Sequence, residues 1–177
     1  LANKKGETPL YIASYMGSTD ALNFGGMDIA RLLLDKKAAV DQADNNGKTP
    51  LYIASEWSNT GNAKLLIEKK AAVDQADNNG NTPLIIAANK NRLPVVRLLV
   101  ESRADIKIRG DENKMAIEHA KDRGNTDIVK FLKVNKAIKR DLEESNFISK
   151  GGRLVCISYH SLEDRLVKNF IRDGNFD

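Results

Sequence analysis

Residues 36–47 read Lys-Lys-Ala-Ala-Val-Asp-Gln-Ala-Asp-Asn-Asn-Gly, and residues 69–80 repeat the same string without a change. The offset between the two copies is 33 residues. Self-similarity at a period of this size indicates a stacked repeat protein, in which each unit buries its apolar face only against its neighbours. The duplicated string therefore predicts an array of similar units, and such arrays usually serve as binding surfaces and not as catalysts.

A second marker, Thr-Pro-Leu, places the units in register. It occurs at residues 8–10, 49–51 and 82–84, and one further step of 33 residues leads to Met-Ala-Ile at residues 115–117. Thr before Pro favours a helix start, because the Thr hydroxyl can accept a backbone N–H and Pro at the first helical position lacks a donor that would be unpaired anyway. The sequence therefore predicts four units, each with a first helix that begins at the marker.

A second helix is predicted in each unit from a basic-apolar-apolar cluster that follows the marker. The clusters are Arg31-Leu32-Leu33, Lys64-Leu65-Leu66, Arg97-Leu98-Leu99 and Lys130-Phe131-Leu132. Apolar residues around them are spaced three and four apart, which is typical of a helix with one buried stripe. Between units, the Asp, Asn and Gly residues of segment 40–47 predict a tight turn with a left-handed position. The predicted fold class is all-α, and each unit reads turn, helix, turn, helix.

Residues 44–54 read Asp-Asn-Asn-Gly-Lys-Thr-Pro-Leu-Tyr-Ile-Ala and resemble an ankyrin repeat. The resemblance extends over residues 3–134 and implies an ankyrin-repeat solenoid of four helix-turn-helix units. The implied units are 3–43, 44–76, 77–109 and 110–134, within a domain of residues 1–134. Residues 135–177 then form a C-terminal appendage.

Two departures from the ankyrin pattern carry structural expectations. Members of the family usually have His after the Leu of the marker, where its ring ties neighbouring turns together, but Tyr11, Tyr52 and Ile85 stand at this position. We therefore expect the hydrogen-bond network between units to be absent or altered. The usual Gly between the two helices is replaced by Ser58 and Asn91, which predicts less tight turns there.

The first and the fourth units differ most from the pattern. The fourth has lost Thr and Pro, has Asn113 where Gly is expected and carries several charges around its turn, which indicates a capping repeat with a polar outer face. The first contains an insertion, residues 21–28, between its helices. One interpretation of the insertion is a loop folded back on its own repeat, and the other is a partner-binding loop.

The resemblance implies that partners are met by the turn tips and by exposed positions of the first helices. The tip positions are Lys4, Lys5, Glu7, Asn45, Asn46, Lys48, Asn78, Asn79, Asn81, Asp111, Glu112 and Lys114. The helix positions are Tyr15, Met16, Glu56, Trp57, Asn89, Lys90, Asp122 and Arg123.

Tyr15, Met16 and Trp57 are our hypothesis for the energetic centre of this surface, because aromatic residues are the usual anchors of protein interfaces. The alternative is that Trp57 packs against the insertion or against its own helices. The paired Asn residues of the tips have two interpretations as well: they either donate uncharged hydrogen bonds to a partner or repeat a good turn sequence.

The C-terminal appendage follows a different pattern, since the period of 33 residues ends after about residue 134. A charged helix is predicted over residues 136–146, and residues 154–159 form an apolar run of strand length. Ser161 then favours a further helix start, with an acidic residue in its first turn. The local order of helix, strand and helix predicts a short α/β-like tail.

Residues 151–168 read Gly-Gly-Arg-Leu-Val-Cys-Ile-Ser-Tyr-His-Ser-Leu-Glu-Asp-Arg-Leu-Val-Lys and resemble the bacterial small-subunit ribosomal RNA cytosine-N4 methyltransferase family. The resemblance begins loosely at about residue 142 and reaches residue 177. It implies that a motif beside the active site of that family is matched by His160, Ser161, Glu163, Asp164 and Arg165.

The parts that would hold S-adenosylmethionine are missing from residues 1–150, which contain neither a glycine-rich loop after a first strand nor an acidic residue at the end of a second strand. A single strand cannot form a cofactor crevice. We therefore expect a non-enzymatic module that binds a protein and no cofactor. The alternatives are an inactive fragment or fusion of the methyltransferase and a structural remnant without a specific partner.

Composition adds several expected absences. The 28 basic and 24 acidic residues are interspersed, so no block of like charge predicts a nucleic-acid partner. No apolar run approaches the roughly 20 residues that span a bilayer, and no signal peptide opens the chain. The single cysteine, Cys156, excludes an internal disulfide and favours the cytoplasm. His119 and His160 are isolated, so no metal site is predicted.

Overall fold

The structure is a computed structural model that describes the backbone of residues 1–16 and 25–144, and the side chains of residues 1–16 and 25–136. The described residues form eight α-helices and no strand, which confirms the predicted all-α fold. The helices are α1 (Pro9–Met16), α2 (Gly26–Asp35), α3 (Pro50–Glu56), α4 (Thr60–Glu68), α5 (Pro83–Asn89), α6 (Leu93–Glu101), α7 (Ala116–Asp122) and α8 (Thr126–Glu144).

Two sequence predictions lie outside the described residues. They concern the α/β-like tail beyond residue 144 and positions 21–24 of the insertion. Residues 1–138 form one compact unit, and a second unit begins at Lys139. Among the described residues, no helix is both long and apolar enough to cross a membrane.

The helices stack on their equivalents in the neighbouring units. The first helices form one layer, in which α1 packs on α3, α3 on α5 and α5 on α7. The second helices form the other layer, in which α2 packs on α4 and α4 on α6. The core lies between the layers and is built from repeated Leu and Ala positions, as the periodicity predicts. Its most enclosed Leu side chains are Leu10, Leu51, Leu66, Leu84 and Leu99.

Each first helix begins as the Thr-Pro marker predicts. The Thr49 hydroxyl accepts the N–H of Tyr52 at 3.1 Å, and the Thr82 hydroxyl accepts the N–H of Ile85 at 3.3 Å. In the fourth unit Met115 replaces Thr, and the cap is supplied from within the helix: Met115 N–H donates to Glu118 Oε2 at 2.8 Å. Glu118 therefore stabilises this helix start through the N–H of Met115 and not through the N–H that a Thr hydroxyl would accept, and the helix dipole also favours an acidic residue in the first turn.

The turns between the two helices of a unit are equally tight with and without glycine. Ser58 has φ 63° and Asn91 has φ 58°, close to φ 71° of Gly124. In each turn the following N–H reaches back to a helix carbonyl at 2.8 Å; the pairs are Asn59 to Ala54, Arg92 to Ala87 and Asn125 to Ala120. The prediction of looser turns was wrong, because these hydrogen bonds hold Ser and Asn in the left-handed region that glycine adopts more easily.

The duplicated string forms the turn tips. Asp44 Oδ1 accepts the N–H groups of Asn46 at 2.9 Å and Lys48 at 2.8 Å, and Asp77 Oδ1 does the same for its own turn. In the fourth unit Gly110 takes the place of this Asp. The fourth turn is instead closed by Arg109 Nη1, which donates to the carbonyl of Asn113 at 2.6 Å.

A tyrosine–aspartate contact links neighbouring turns. The Tyr11 hydroxyl donates to Asp44 Oδ2 of the next unit at 3.3 Å, and the Tyr52 hydroxyl lies near enough to Asp77 of the next unit for that carboxylate to raise its pKa. Burial first, and the carboxylate second, raise the pKa of both Tyr hydroxyls above the ordinary value. Ile85 interrupts the series in the third unit. The network between units is therefore altered and not absent.

Candidate protein-binding surface

Equivalent positions at the ends of the first helices form two rows along the array. The first row is Tyr15, Glu56, Asn89 and Asp122, and the second row is Met16, Trp57, Lys90 and Arg123. Each row begins with an aromatic or apolar side chain and ends with a charged one. The surface is therefore divided chemically, with its apolar part on the first two units.

Tyr15, Met16 and Trp57 form the apolar part, and we call them the hydrophobic patch. The rings of Tyr15 and Trp57 lie with centroids 6.3 Å apart and planes tilted by 37°, within the range of a favourable aromatic pair. The side chains remain substantially exposed, at 36% for Tyr15, 53% for Met16 and 47% for Trp57. The fold thus joins Tyr15 and Trp57, which the sequence separates by 42 positions.

An ion pair borders the hydrophobic patch. Lys48 at the second turn tip lies 3.4 Å from Glu56 Oε2, and its ammonium group lies 5.2 Å from the centre of the Tyr52 ring. Both side chains of the pair are partly enclosed, with 28% and 20% exposure. The pair joins the turn tip to the end of α3, so the border of the patch is held in place from two sides.

The fourth unit repeats this pairing of tip and helix. Lys114, the equivalent of Lys48, lies 2.9 Å from Asp122 Oδ2 and also contacts Glu112. The Asp122 and Glu112 carboxylates raise the pKa of Lys114, while the Lys114 ammonium lowers the pKa of both carboxyl groups. In the third unit the equivalent positions hold the uncharged residues Asn81 and Asn89. The third unit therefore separates the charged pairs of the second and fourth units.

The Asn side chains of the tips bond mostly to neighbouring units. Asn45 Nδ2 donates to the carbonyl of Lys4 at 3.0 Å, and Asn78 Nδ2 donates to the carbonyl of Asn45 at 3.1 Å. Asn81 is only 9% exposed, and its Oδ1 accepts the N–H of Asp111 at 3.3 Å. These contacts favour the interpretation that the repeated Asn residues maintain the turns, and the enclosed Asn81 does not fit the tip position assigned to it. Asn46 and Asn79 are exposed.

Asn89 is engaged by the buried His119 of the fourth unit. Asn89 Nδ2 lies 3.3 Å from His119 Nδ1, and His119 Nε2 lies 3.1 Å from Asp111 Oδ1 without the alignment of a hydrogen bond. Lys90, by contrast, is exposed. Within residues 1–16 and 25–136 no cluster of His, Cys, Asp and Glu has the composition of a metal site.

The sequence reading missed one device that joins the units. Equivalent positions before the second helices are occupied by Asn59, Arg92 and Asn125. Each side chain donates a hydrogen bond to the end of the first helix in the preceding unit. The bonds reach the carbonyls of Ser14 at 3.0 Å, Glu56 at 3.1 Å and Ala88 at 2.8 Å, respectively. All three residues carry a side-chain N–H donor at the same position of the repeat, and this shared property could have predicted the bonds from the sequence. These bonds fix the ends of the helices that carry the two rows.

Comparison with known proteins supports this architecture. The family model described as ankyrin repeats (3 copies) matches residues 1–77, 21–110 and 62–143, which together cover most of the chain. The chain belongs to the ankyrin-repeat family. The matches span all four units of the ankyrin-repeat protein and both layers of its helices.

A second family model, the MraW methylase family, matches residues 132–176 of the ankyrin-repeat protein. Curated proteins that are similar to this chain include the ribosomal RNA small subunit methyltransferase H of several organisms. The enzyme of Amoebophilus asiaticus is 64% identical over 42 residues, and that of Cytophaga hutchinsonii is 62% identical over 42 residues. Each alignment covers 23% of this chain and 14% of the relative. The enzyme of Dictyoglomus thermophilum is 66% identical over 35 residues, or 19% of this chain and 12% of the relative.

This chain therefore spans about one seventh of the curated methyltransferases that it matches. The residues that the sequence assigned to a methyltransferase motif fall within the matched segment and outside the described residues, so their roles stay predictions. They are His160, Ser161, Glu163, Asp164 and Arg165.

Proposed function

We propose that this ankyrin-repeat protein binds a partner protein through the hydrophobic patch on its first two units. The observation that carries the proposal is the exposed aromatic pair of Tyr15 and Trp57, 6.3 Å apart, in the two rows whose positions on the third and fourth units are all polar. Aromatic side chains bring a large contact area at a small cost in conformational entropy, and they dominate the energetics of many interfaces. Their position on two different units requires the folded array.

The polar groups around the patch complete the features of an interface. Lys48 and Glu56 form a paired charge at its edge, and Lys90 adds an exposed cation on the next unit. Binding energy usually comes from an apolar centre, while a polar rim excludes water and sets orientation. In this proposal the partner places an apolar side chain against Trp57 and a polar or acidic group near Lys90.

Trp57→Ala is expected to weaken binding of the partner by about 30-fold, since truncating an aromatic anchor typically costs about 2 kcal/mol. The partner is first captured on the immobilised chain and identified by mass spectrometry. Its dissociation constant is then measured with purified proteins by calorimetry.

Lys64→Ala serves as the matched control, because Lys64 is exposed on α4, away from the two rows. We expect it to leave the dissociation constant within about twofold of the original. Both variants should keep the far-ultraviolet circular dichroism spectrum. An unchanged dissociation constant for a folded Trp57→Ala variant would remove the hydrophobic patch from the proposal.

The methyltransferase resemblance supports a second candidate, an inactive fragment or fusion of that enzyme. Its basis is the 64% identity over 42 residues. We propose that the chain catalyses no methyl transfer, because the aligned segment represents only 14% of the relative and no cofactor-binding loop occurs in residues 1–150. A fold of this kind binds its nucleotide cofactor, here S-adenosylmethionine, in a crevice formed by several strands.

Calorimetric titration with S-adenosylmethionine tests the inference that this chain has no cofactor site. We expect no saturable heat at ligand concentrations of about 1 mM, which corresponds to a binding free energy weaker than about −4 kcal/mol. The full-length methyltransferase H of Amoebophilus asiaticus is titrated in parallel as the reference. Saturable binding by this chain would contradict that inference and would make an active methyltransferase-like site the better proposal.

A further inference from the structure

One position of the second helices differs sharply between the first unit and the others. Ile29 in α2 is equivalent to Asn62, Val95 and Ile128 in the following units. Asn62, Val95 and Ile128 are completely buried, whereas Ile29 is 48% exposed. The difference is not one of polarity, because the exposed residue is apolar and one of the buried residues is an amide.

The next turn of the same helices shows the same contrast. Leu32 is 59% exposed, while its equivalent Leu65 is 4% exposed and the later equivalents Leu98 and Phe131 are half-buried. In the first helices, Pro9 is exposed and its equivalent Pro50 is fully buried. Among the described residues, both layers of the first unit therefore present an apolar face that no other unit covers, which we call the open face and define as Pro9, Ile29 and Leu32.

The preceding unit covers this face in the rest of the array. In the second unit, α3 packs on α1 and α4 packs on α2, and Asn62 Nδ2 donates to the carbonyl of Ala13 at 2.9 Å. The turn tip of the second unit is likewise bonded to that of the first, since the N–H of Asn45 donates to the carbonyl of Lys5 at 2.9 Å. The covering element is thus always another helix-turn-helix unit in the same orientation.

We infer that the open face is a further repeat interface whose occupant is one more ankyrin unit, supplied from outside residues 1–177. The composition of the face argues for this occupant. Its apolar side chains stand at repeat positions whose equivalents in the other units contact the preceding unit. Asn3 also begins a turn with the same hydrogen bonds as Asp44, accepting the N–H groups of Lys5 at 2.9 Å and Glu7 at 3.0 Å. The first unit is therefore built as an internal repeat.

The test adds a unit in register. A copy of residues 44–76 replaces Leu1 and Ala2 and is joined directly to Asn3, because residue 76 precedes the equivalent Asp77 in the natural array. We expect the melting temperature to rise by about 5 °C or more, because burial of two large apolar side chains stabilises the first unit. Hydrogen exchange at amides of α1 and α2 should slow by at least about tenfold.

The double substitution Ile29→Lys and Leu32→Lys shows whether the gain comes from the open face. In the extended chain it should remove the gain, whereas in the unextended chain, where both side chains are exposed, the melting temperature should change by less than about 2 °C. The inference is overturned if the extended chain shows no gain in melting temperature or keeps its gain despite the substitutions. Sedimentation of the unextended chain over a wide concentration range gives the third result. A dimer that the two substitutions dissociate would make a second copy the occupant and would also overturn the inference.

Discussion

Gly47→Ala is expected to lower the free energy of unfolding by about 3 kcal/mol. Gly47 has φ +80°, where an L-residue is strained by about 1 kcal/mol. An added Cβ would also lie 2.5 Å from Asn78 Oδ1 and 2.8 Å from Asn78 N. Asn78 cannot move aside freely, because its backbone and side chain donate to Asn46 and Asn45 of the preceding tip. Relieving such overpacking adds about 2 kcal/mol.

Gly124→Ala is the matched control for this effect. Gly124 has φ +71° but no atom within 4 Å of an added Cβ, so alanine there meets only the backbone strain of about 1 kcal/mol. Urea unfolding monitored by circular dichroism gives the free energy of unfolding of each variant by linear extrapolation to zero urea. Equal losses for the two variants would show that close approach of the tips does not contribute to stability.

Leu65→Ala is expected to cost about 3 kcal/mol of unfolding free energy. The side chain is 4% exposed within the continuous core, and removing a buried leucine loses both its transfer free energy and the contacts around the cavity left behind. Urea unfolding measures the loss. A result below about 1 kcal/mol would mean that this part of the array collapses into the cavity.

Leu32→Ala makes the same substitution at the equivalent position of the first unit, where the side chain is 59% exposed. We expect a loss below about 0.5 kcal/mol, as for most surface substitutions. The pair therefore isolates the contribution of a covering unit from that of the residue type. Similar losses at the two positions would show that Leu32 is covered in solution.

The architecture could be predicted from the sequence because its signals are local and repeated. The offset of 33 residues set the period, and the Thr-Pro markers set the helix starts that Thr49 and Thr82 cap. Both signals need only the identity of adjacent residues and the chemistry of a helix end. The MraW match to residues 132–176 likewise follows the point where the period stops.

The contacts between units were harder to predict because they depend on how far one turn lies from the next. Tyr11 replaces a histidine of the usual pattern, and only the structure shows that its hydroxyl reaches Asp44. Ser58 and Asn91 were expected to loosen their turns, but their left-handed conformations depend on backbone bonds that residue type alone does not reveal. For the candidate surface, the spacing pointed to Tyr15 and Trp57 as neighbours, while the enclosure of Asn81 depends on the fourth turn.

The buried amide of Asn62 affects which units can be neighbours. The turn strings at residues 36–47 and 69–80 are identical, so those segments alone would allow the array to assemble one unit out of step. Asn62 Nδ2 bonds the Ala13 carbonyl of the preceding unit, and the equivalent positions on the third and fourth units are Val95 and Ile128, which carry no amide. A buried amide without its acceptor costs about 1 to 3 kcal/mol. Asn62 thus ties the second unit to the first through a buried polar contact that the apolar Val95 and Ile128 cannot make, and a single buried polar residue of this kind can select the alignment of a coiled coil.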